Sequence, residues 1–312
     1  MNNMLSVSVI IPAYNAEKFI KQAVMSVLEQ SYPISEVIVV NDGSTDNTNR
    51  ELLRLQDEHD VIKIISTDNK GASSARNAGL KIASSDIIAF LDSDDYWETD
   101  KINLQIDYLL KNDLTVLISN LNLVNTKGAL LGVKKNVTSN IVNGILRKKI
   151  SMMTPTLIFY RSISEDNNIY FNEKMRHYED HLFIIELSSH GNLGVLDKSL
   201  VNRRIHNSSL SYDFNIDDCF NSIIEFERVI TALSKKNKKI HFKDIKFFKS
   251  HGYFSIAHLY FRRHNKIQCL KYSFLSNLVK PNLKAVILFL LCLLPFSNYL
   301  FYKISSQNKN YE

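Results

Sequence analysis

Cysteine, glycine and proline are scarce in this chain, and the usual nucleotide-binding signatures are missing. The three cysteines, Cys219, Cys269 and Cys292, form no CxxC and no Cys/His ligand spacing, which argues against structural zinc and for a reducing compartment. Nine Gly and five Pro among 312 residues, 45% of them apolar, exclude a disordered chain and allow one large core, or one core with a smaller appendage. The N-terminus, MNNMLSVSVIIP, has neither the basic start nor the long apolar core of a signal peptide, so the main part of the chain is expected in the cytoplasm. No GxGxxG follows the first apolar run and no GxxxxGK(S/T) occurs, which removes both the dinucleotide fingerprint and the Walker phosphate loop.

The net charge of +6 conceals an asymmetry. Residues 1–130 hold 11 Lys and Arg against 18 Asp and Glu, a balance of −7, and residues 131–312 hold 27 against 14, a balance of +13. Seven lysines fall in KKNKKIHFKDIKFFK, Lys235 to Lys249, and the apolar stretch AVILFLLCLLPFSNYLFY, 285–302, lies beyond them. A membrane crossing needs roughly 20 apolar residues, and Pro295, Ser297 and Asn298 interrupt this one early. Basic residues beside a short, very apolar helix fit a segment lying in the interface of an anionic leaflet; a buried C-terminal helix is the competing reading. Nucleic acid is not an expected partner, because stacking positions and nucleic-acid motifs are missing around the basic tract.

Apolar runs alternate with helical periodicity through the first half. Val7–Ile11, Glu36–Val40, Val61–Ser66, Ile87–Leu91 and Thr115–Ser119 read as buried strands, the first ended by Pro12. Helices are expected over Ala16–Gln30, up to about Glu58, and over Ser73–Ala83 and Thr99–Lys111. This alternation predicts an α/β, doubly wound, mostly parallel sheet with ligands at the carboxyl ends of its strands. The loops PAYN, NDGSTD, DNKGASSARN and DSDD would then open on one edge. In FLDSDD, Asp92, Asp94 and Asp95 crowd against the end of a buried strand; carboxylates so placed either take up protons or acquire a cation.

VIIPAYNAEKFIKQAVMSVLEQSYP, EVIVVNDGSTDNT, NKGASSARNAGL and DIIAFLDSDD, in that order, resemble the successive motifs of family 2 glycosyltransferases with the GT-A fold. The resemblance runs through about residues 6–210. It implies a metal-dependent, inverting enzyme that moves a sugar from a nucleotide-diphosphate sugar, a UDP-sugar above all, to a hydroxyl of a glycan or lipid-linked acceptor in surface polysaccharide synthesis. It further implies Mn²⁺ or Mg²⁺ as cofactor, while the charge split and the apolar tail lead us to expect a place on the inner face of the cell membrane. Pro12, Ala13, Tyr14 and Asn15 look like the loop that frames the base, and Asp42 is similar to the residue that reads it; an Asx-turn acid is the alternative for Asp42. Arg76 faces the phosphates in this reading. Asp92, Ser93, Asp94 and Asp95 correspond to the DxD segment, whose acids divide between donor and metal, with Asp94 favoured for the metal.

HYEDHLFIIEL, His177 to Leu187, resembles the family's ED motif at the start of a helix. Asp180 is the candidate general base, with Glu179 as the fallback. VNRRIHNSSLS, Val201 to Ser211, matches a family segment through Arg204 and His206, with Arg203 where an aromatic is common. His206 is a candidate for the metal shell or the diphosphate, or else a structural histidine. Residues 152–156 are expected to line the acceptor side. The expected organisation is a GT-A domain over 1–211, divided into a donor half (1–120) and an acceptor half (121–211), then a helical, basic extension over 212–312. Its helices are placed at Phe214–Leu233, Ile240–His264 and Ile267–Leu278. A non-catalytic, sugar-nucleotide-binding scaffold at the membrane is the alternative function.

Overall fold

The computed structural model describes residues 4–136, 141–150, 153–206 and 215–294. The chain forms two compact units, one of Met1–Ile145, Lys149–Lys174 and Glu179–Asp213, the other of Leu146–Lys148, Met175–Tyr178 and Phe214–Glu312.

In the first unit, β1 (Val7–Ala13), β2 (Glu36–Asp42), β3 (Ile62–Thr67) and β4 (Ile87–Phe90) alternate with α1 (Ile20–Leu28), α2 (Thr48–Glu58) and α3 (Ala72–Ile82). These strands are parallel neighbours in the order β3-β2-β1-β4. Every residue of β1, β2 and β4 is buried, as runs of Val and Ile covered on both faces require. The chain continues through β5 (Tyr96–Trp97), α4 (Lys101–Lys111), β6 (Val116–Val124), β7 (Leu130–Lys134), α5 (Ile141–Leu146), β8 (Leu157–Tyr160), α6 (Arg161–Asp166), α7 (Glu179–His190) and β9 (Leu193–Arg204). Strand β8 enters antiparallel between β4 and β6, β9 runs parallel to β6, and β5 and β7 pair antiparallel with β9 and β6.

Pro12 does not end β1, as its sequence position implies; the strand runs on to Ala13. The Ile10 carbonyl accepts from the Leu91 N–H on the β4 side, and the β1–β4 ladder stops at that residue. Pro12, two residues on, points to the same side, where no ladder remains to need its missing donor. Helix α3 packs onto the same strand through Gly79, where an added Cβ would stand 2.4 Å from Ile10 Cγ2.

Glu36, 3% exposed, ties three segments together. Its Oε1 accepts from Ser8 Oγ and from the Ser84 N–H and Oγ, and its Oε2 pairs with Lys63. Burial works against the charged form, but Lys63, Ser8 and Ser84 outweigh it and bring the carboxyl from an ordinary 4.5 down to about 2. A depressed carboxyl contributes stability above its unfolded value, and that contribution fades as pH falls toward the folded one. Urea unfolding is therefore expected to show stability dropping between about pH 4.5 and 2, and Glu36→Gln to flatten that limb at a cost of roughly 3 kcal/mol at neutral pH.

The second unit holds α8 (Ile216–Lys236), α9 (Phe242–Arg262), α10 (Lys266–Val279) and α11 (Leu283–Leu293). The first three fall within a few residues of the sequence expectation; Phe214 lies outside the described residues. Asn215, Asn265 and Asn282 cap α8, α10 and α11, each offering its side-chain oxygen to an otherwise orphaned N–H. Phe226 stacks on Phe248 with centroids 4.0 Å apart. Cys269 and Cys292, 23 residues apart in sequence, bring their buried sulfurs to 3.2 Å. The apolar segment 285–302 is described only to residue 294; its remainder, 295–302, lies outside the described residues.

Candidate active site

Four loops leave the carboxyl ends of β1, β2, β3 and β4, and side chains sew each loop to the next. After β1, Asn15 adopts a left-handed φ of 49°. Its Oδ1 accepts from the Thr45 N–H at 2.8 Å, and its own N–H donates to Ser44 Oγ at 3.0 Å. Pro12 and Ala13 are buried and Tyr14 stands out into solvent. Asp42, 3% exposed, turns to the loop after β3: Oδ1 accepts from Thr67 Oγ1 at 2.9 Å and from the Lys70 N–H at 3.0 Å, and Oδ2 from the Gly71 N–H at 2.7 Å. The turn after β2 is closed instead by Asn41, whose Oδ1 accepts from the Ser44 N–H at 3.1 Å. Asp42 is thus a peg between two loops rather than an Asx-turn acid.

The acid segment after β4 rests on an aromatic floor. Phe90 meets Phe171 and Phe183 edge-on, and those two rings stack 4.0 Å apart. Asn77 fixes this floor to α3, its Nδ2 donating to the Phe171 carbonyl at 2.9 Å and its Oδ1 accepting from the Phe171 N–H at 2.8 Å. Above it, Arg76 is 6% exposed with its guanidinium carbon 5.3 Å from the Phe171 ring centre. Its Nη2 donates to Asp92 Oδ1 at 2.8 Å, and its Nη1 lies 3.6 Å from Glu179 Oε1. Among the described residues, Arg76 Nε and Nη1 have no hydrogen-bond partner, so a buried cation keeps donors in reserve.

The three acids divide by partner. Asp92 faces Arg76, and Ser93 is half-buried beside it. Asp95 is 2% exposed and accepts from the Arg204 N–H at 2.9 Å, pinning β9. Asp94 keeps 32% of its side chain exposed, and its Oδ2 lies 3.0 Å from His206 Nε2. Burial, then the Asp92 charge, push Asp94 above its ordinary value, with His206 partly offsetting them; burial with Asp94 and Asp92 pushes Asp95 well above its own. Arg204 closes the group, one amino group donating to the Asp94 carbonyl and the other to Gln22 Oε1. Its guanidinium carbon lies 4.9 Å from the ring centres of both Phe19 and Tyr96.

Glu179 and Asp180 open α7, where carboxylates are favoured by the helix dipole. Asp180 Oδ1 accepts from the His181 N–H at 2.7 Å and lies 2.6 Å from His181 Nδ1; among the described residues its other oxygen accepts nothing. Burial alone would raise Asp180, but His181 and Arg76 together hold it below its ordinary value. Burial and the Asp180 charge push Glu179 the other way, against Arg76.

Among the described residues, no group of three or more His, Cys, Asp or Glu side chains is arranged as a metal cage. Asp94 with His206 is the pair available, and it fits a hard divalent cation, which is commonly held by one or two protein groups together with substrate phosphates. Of the residues singled out from sequence, the structure joins Asp94 to His206 and links Arg76 to both Asp92 and Glu179. Thr154, Pro155 and Thr156, expected to line the acceptor side, are buried instead, the Thr156 carbonyl taking the Gln105 side-chain amide at 2.9 Å; Met152 lies outside the described residues. Sequence reasoning gave no role to Gln22, Phe19 and Tyr96 around Arg204, although the first two lie inside the first quoted motif. It also passed over His181, although the residue adjoins the acid pair.

A family model described as glycosyl transferase family 2 matches residues 8–183. The UDP-Glc:alpha-D-GlcNAc-diphosphoundecaprenol beta-1,3-glucosyltransferase WfgD of Escherichia coli is 33% identical over 208 residues, 66% of this chain and 79% of that protein. The poly(ribitol-phosphate) beta-N-acetylglucosaminyltransferase TarS of Staphylococcus aureus is 31% identical over 186 residues, 59% of this chain but only 32% of that protein. A crystal structure of S. aureus TarS 1-349 in complex with UDP-GlcNAc matches with a TM-score of 0.68 and 22% identity over 92% of this chain and 90% of that one. That likeness, with the sheet order above, shows the GT-A fold.

Proposed function

The chain belongs to glycosyl transferase family 2 and is a glycosyltransferase, and from that premise we propose that it is an inverting, divalent-cation-dependent enzyme transferring a sugar from a UDP-sugar to a hydroxyl of a lipid-linked acceptor. The single observation that carries this reading is Arg76, one guanidinium reaching Asp92 on the donor loop and Glu179 beside the candidate base. Donor and base chemistry thereby meet at one buried cation. In this reading residues 1–120 bind the donor, 121–211 the acceptor, and 212–312 form a helical extension at the inner membrane face. Pro12 to Asn15 and Asp42 frame the base of the donor.

Asp180 takes the proton of the acceptor hydroxyl through its unengaged oxygen while His181 holds the other. The acceptor oxygen forms its bond to the anomeric carbon as the bond to the diphosphate breaks, and a single displacement inverts that carbon. Asp94 and His206 would hold Mn²⁺ or Mg²⁺, with Asp92 and Asp95 shaping the site; when bound, the cation supplies charge neutralisation to the departing diphosphate. Arg76 adds its free N–H donors to the same charge. The acids of both clusters stand in place, which favours an enzyme over a sugar-nucleotide-binding scaffold. WfgD is named for a UDP-sugar donor and a lipid diphosphate acceptor, which supports those two classes here.

A panel of nucleotide sugars assayed for nucleotide release with Mn²⁺ is expected to single out one UDP-sugar. Tight binding of a donor with no turnover of any would return the scaffold reading.

A further inference from the structure

Helices α10 and α11 each bury one face in their own unit and leave the opposite face bare. On α10, Cys269, Tyr272 and Ser276 are buried, whereas Ile267, Phe274 and Leu278 are 79%, 57% and 70% exposed. Steps of seven and four residues put these three within about 40° of one another around the helix. On α11, Ala285, Leu288 and Cys292 are buried, while Leu283, Ile287 and Leu290 remain 74%, 49% and 56% exposed along a second stripe. The Cys269–Cys292 contact at 3.2 Å packs the two helices against each other through their buried faces. Nine of the 19 large apolar side chains exposed among the described residues fall within 267–294, so this is a concentrated surface and not the ordinary scatter.

Charge indicates what covers it. Residues 265–294 contain Lys266, Lys271, Lys280 and Lys284 and no Asp or Glu. A protein partner would have to offer an apolar groove with acids placed to match each lysine. An anionic leaflet offers an acyl boundary and headgroup phosphates in any register. Helix α11 has 11 residues, and no described helix is long and apolar enough to cross a membrane, so the layer suits lying along a surface.

We propose that the α10–α11 layer is a docking surface for an anionic lipid membrane, its two apolar stripes entering the acyl boundary and its lysines meeting headgroup phosphates. This deepens the lipid-linked acceptor reading and rests on it for its purpose, but binding is measured without turnover. The full chain is floated with vesicles of phosphatidylcholine alone and of phosphatidylcholine with phosphatidylglycerol. It is expected to float with the anionic vesicles and much less with the neutral ones. Two triple variants, Ile267→Ser with Phe274→Ser and Leu290→Ser, and Lys271→Gln with Lys280→Gln and Lys284→Gln, should each bind the anionic vesicles at least roughly tenfold more weakly, with donor hydrolysis unchanged. A parent chain that fails to float, or variants that float like it, would overturn the proposal. So would a serine variant that turns an oligomer into a monomer by light scattering while vesicle binding stays intact, because the stripes would then cover a second copy. Intact vesicle binding with no turnover of any donor would support the docking surface and count only against the transferase reading.

Discussion

Asp180→Asn is expected to lower kcat by about a thousandfold, within the 10²–10⁴ range typical of a lost general base, while leaving donor binding close to that of the parent. The isosteric amide keeps the volume and a hydrogen-bond acceptor for the His181 N–H but cannot take a proton. Glu179→Gln should cost less, its role being to balance Arg76. The pH profile separates the two acids independently. Asp180 is faced by His181 and Glu179 on its own helix and by Arg76 from α3, and the net result holds it below its ordinary 3.8. Glu179 is pushed above its ordinary 4.5 by burial and Asp180. With Asp180 as base, activity should therefore persist to low pH and fall only below about 3.8. His181→Asn removes the largest offset to burial and leaves Arg76 and the backbone N–H, so the same acid limb should move to higher pH. A parent limb above 4.5 that Glu179→Gln abolishes would instead assign the base to Glu179.

The loops at the carboxyl edge of the sheet were legible in the sequence because their signals are local. Buried β-branched runs followed at once by Asn, Asp, Gly and Ser mark strand ends and turns whatever the rest of the chain does, and four such loops in order place the acids on one edge. Partner choice was not legible. Asp42 before Gly43 reads as a turn acid, yet Asn41 takes the turn and Asp42 reaches 28 residues ahead to Lys70. Likewise the three acids of DSDD are alike in sequence, and only their tertiary surroundings send Asp92 to Arg76, Asp94 to His206 and Asp95 to the Arg204 backbone. Strand direction escaped for a similar reason. LIFY in β8 is a short apolar run whose periodicity carries no sense of orientation, so its antiparallel insertion between β4 and β6 depends on long-range pairing. The exposed stripes of α10 and α11 are a different case: helical spacing announces an apolar face, but only packing reveals that it is the second such face on the same helix.

Asp94→Asn and chelation of the parent enzyme are expected to converge on one phenotype, a loss of turnover of about a hundredfold or more together with weakened donor binding. Asp92, Asp94 and Asp95 lie within four positions at the end of a buried strand, and the first and third are already committed, to a guanidinium and to a backbone N–H. Asp94 alone of the three keeps a third of its side chain open, with an imidazole nitrogen 3.0 Å away. A diphosphate brought next to this cluster adds like charge, so a donor binds well only if cations outnumber the acids it meets. Arg204 is engaged, and Arg76, although its Nε and Nη1 make no hydrogen bond, already has its charge matched by Asp92 and Glu179. Asp94→Asn should therefore be nearly indifferent to chelator, and His206→Ala should need more Mn²⁺ for half-maximal turnover while reaching a similar plateau. Asp95→Ala should act on stability instead, costing on the order of 2 kcal/mol for the orphaned Arg204 N–H, a cost that added Mn²⁺ does not recover. If the parent turned over a donor at full rate in excess chelator, the diphosphate charge would have to be met by Arg76 and Arg204 alone, and Arg76→Lys rather than Asp94→Asn would then give the larger loss.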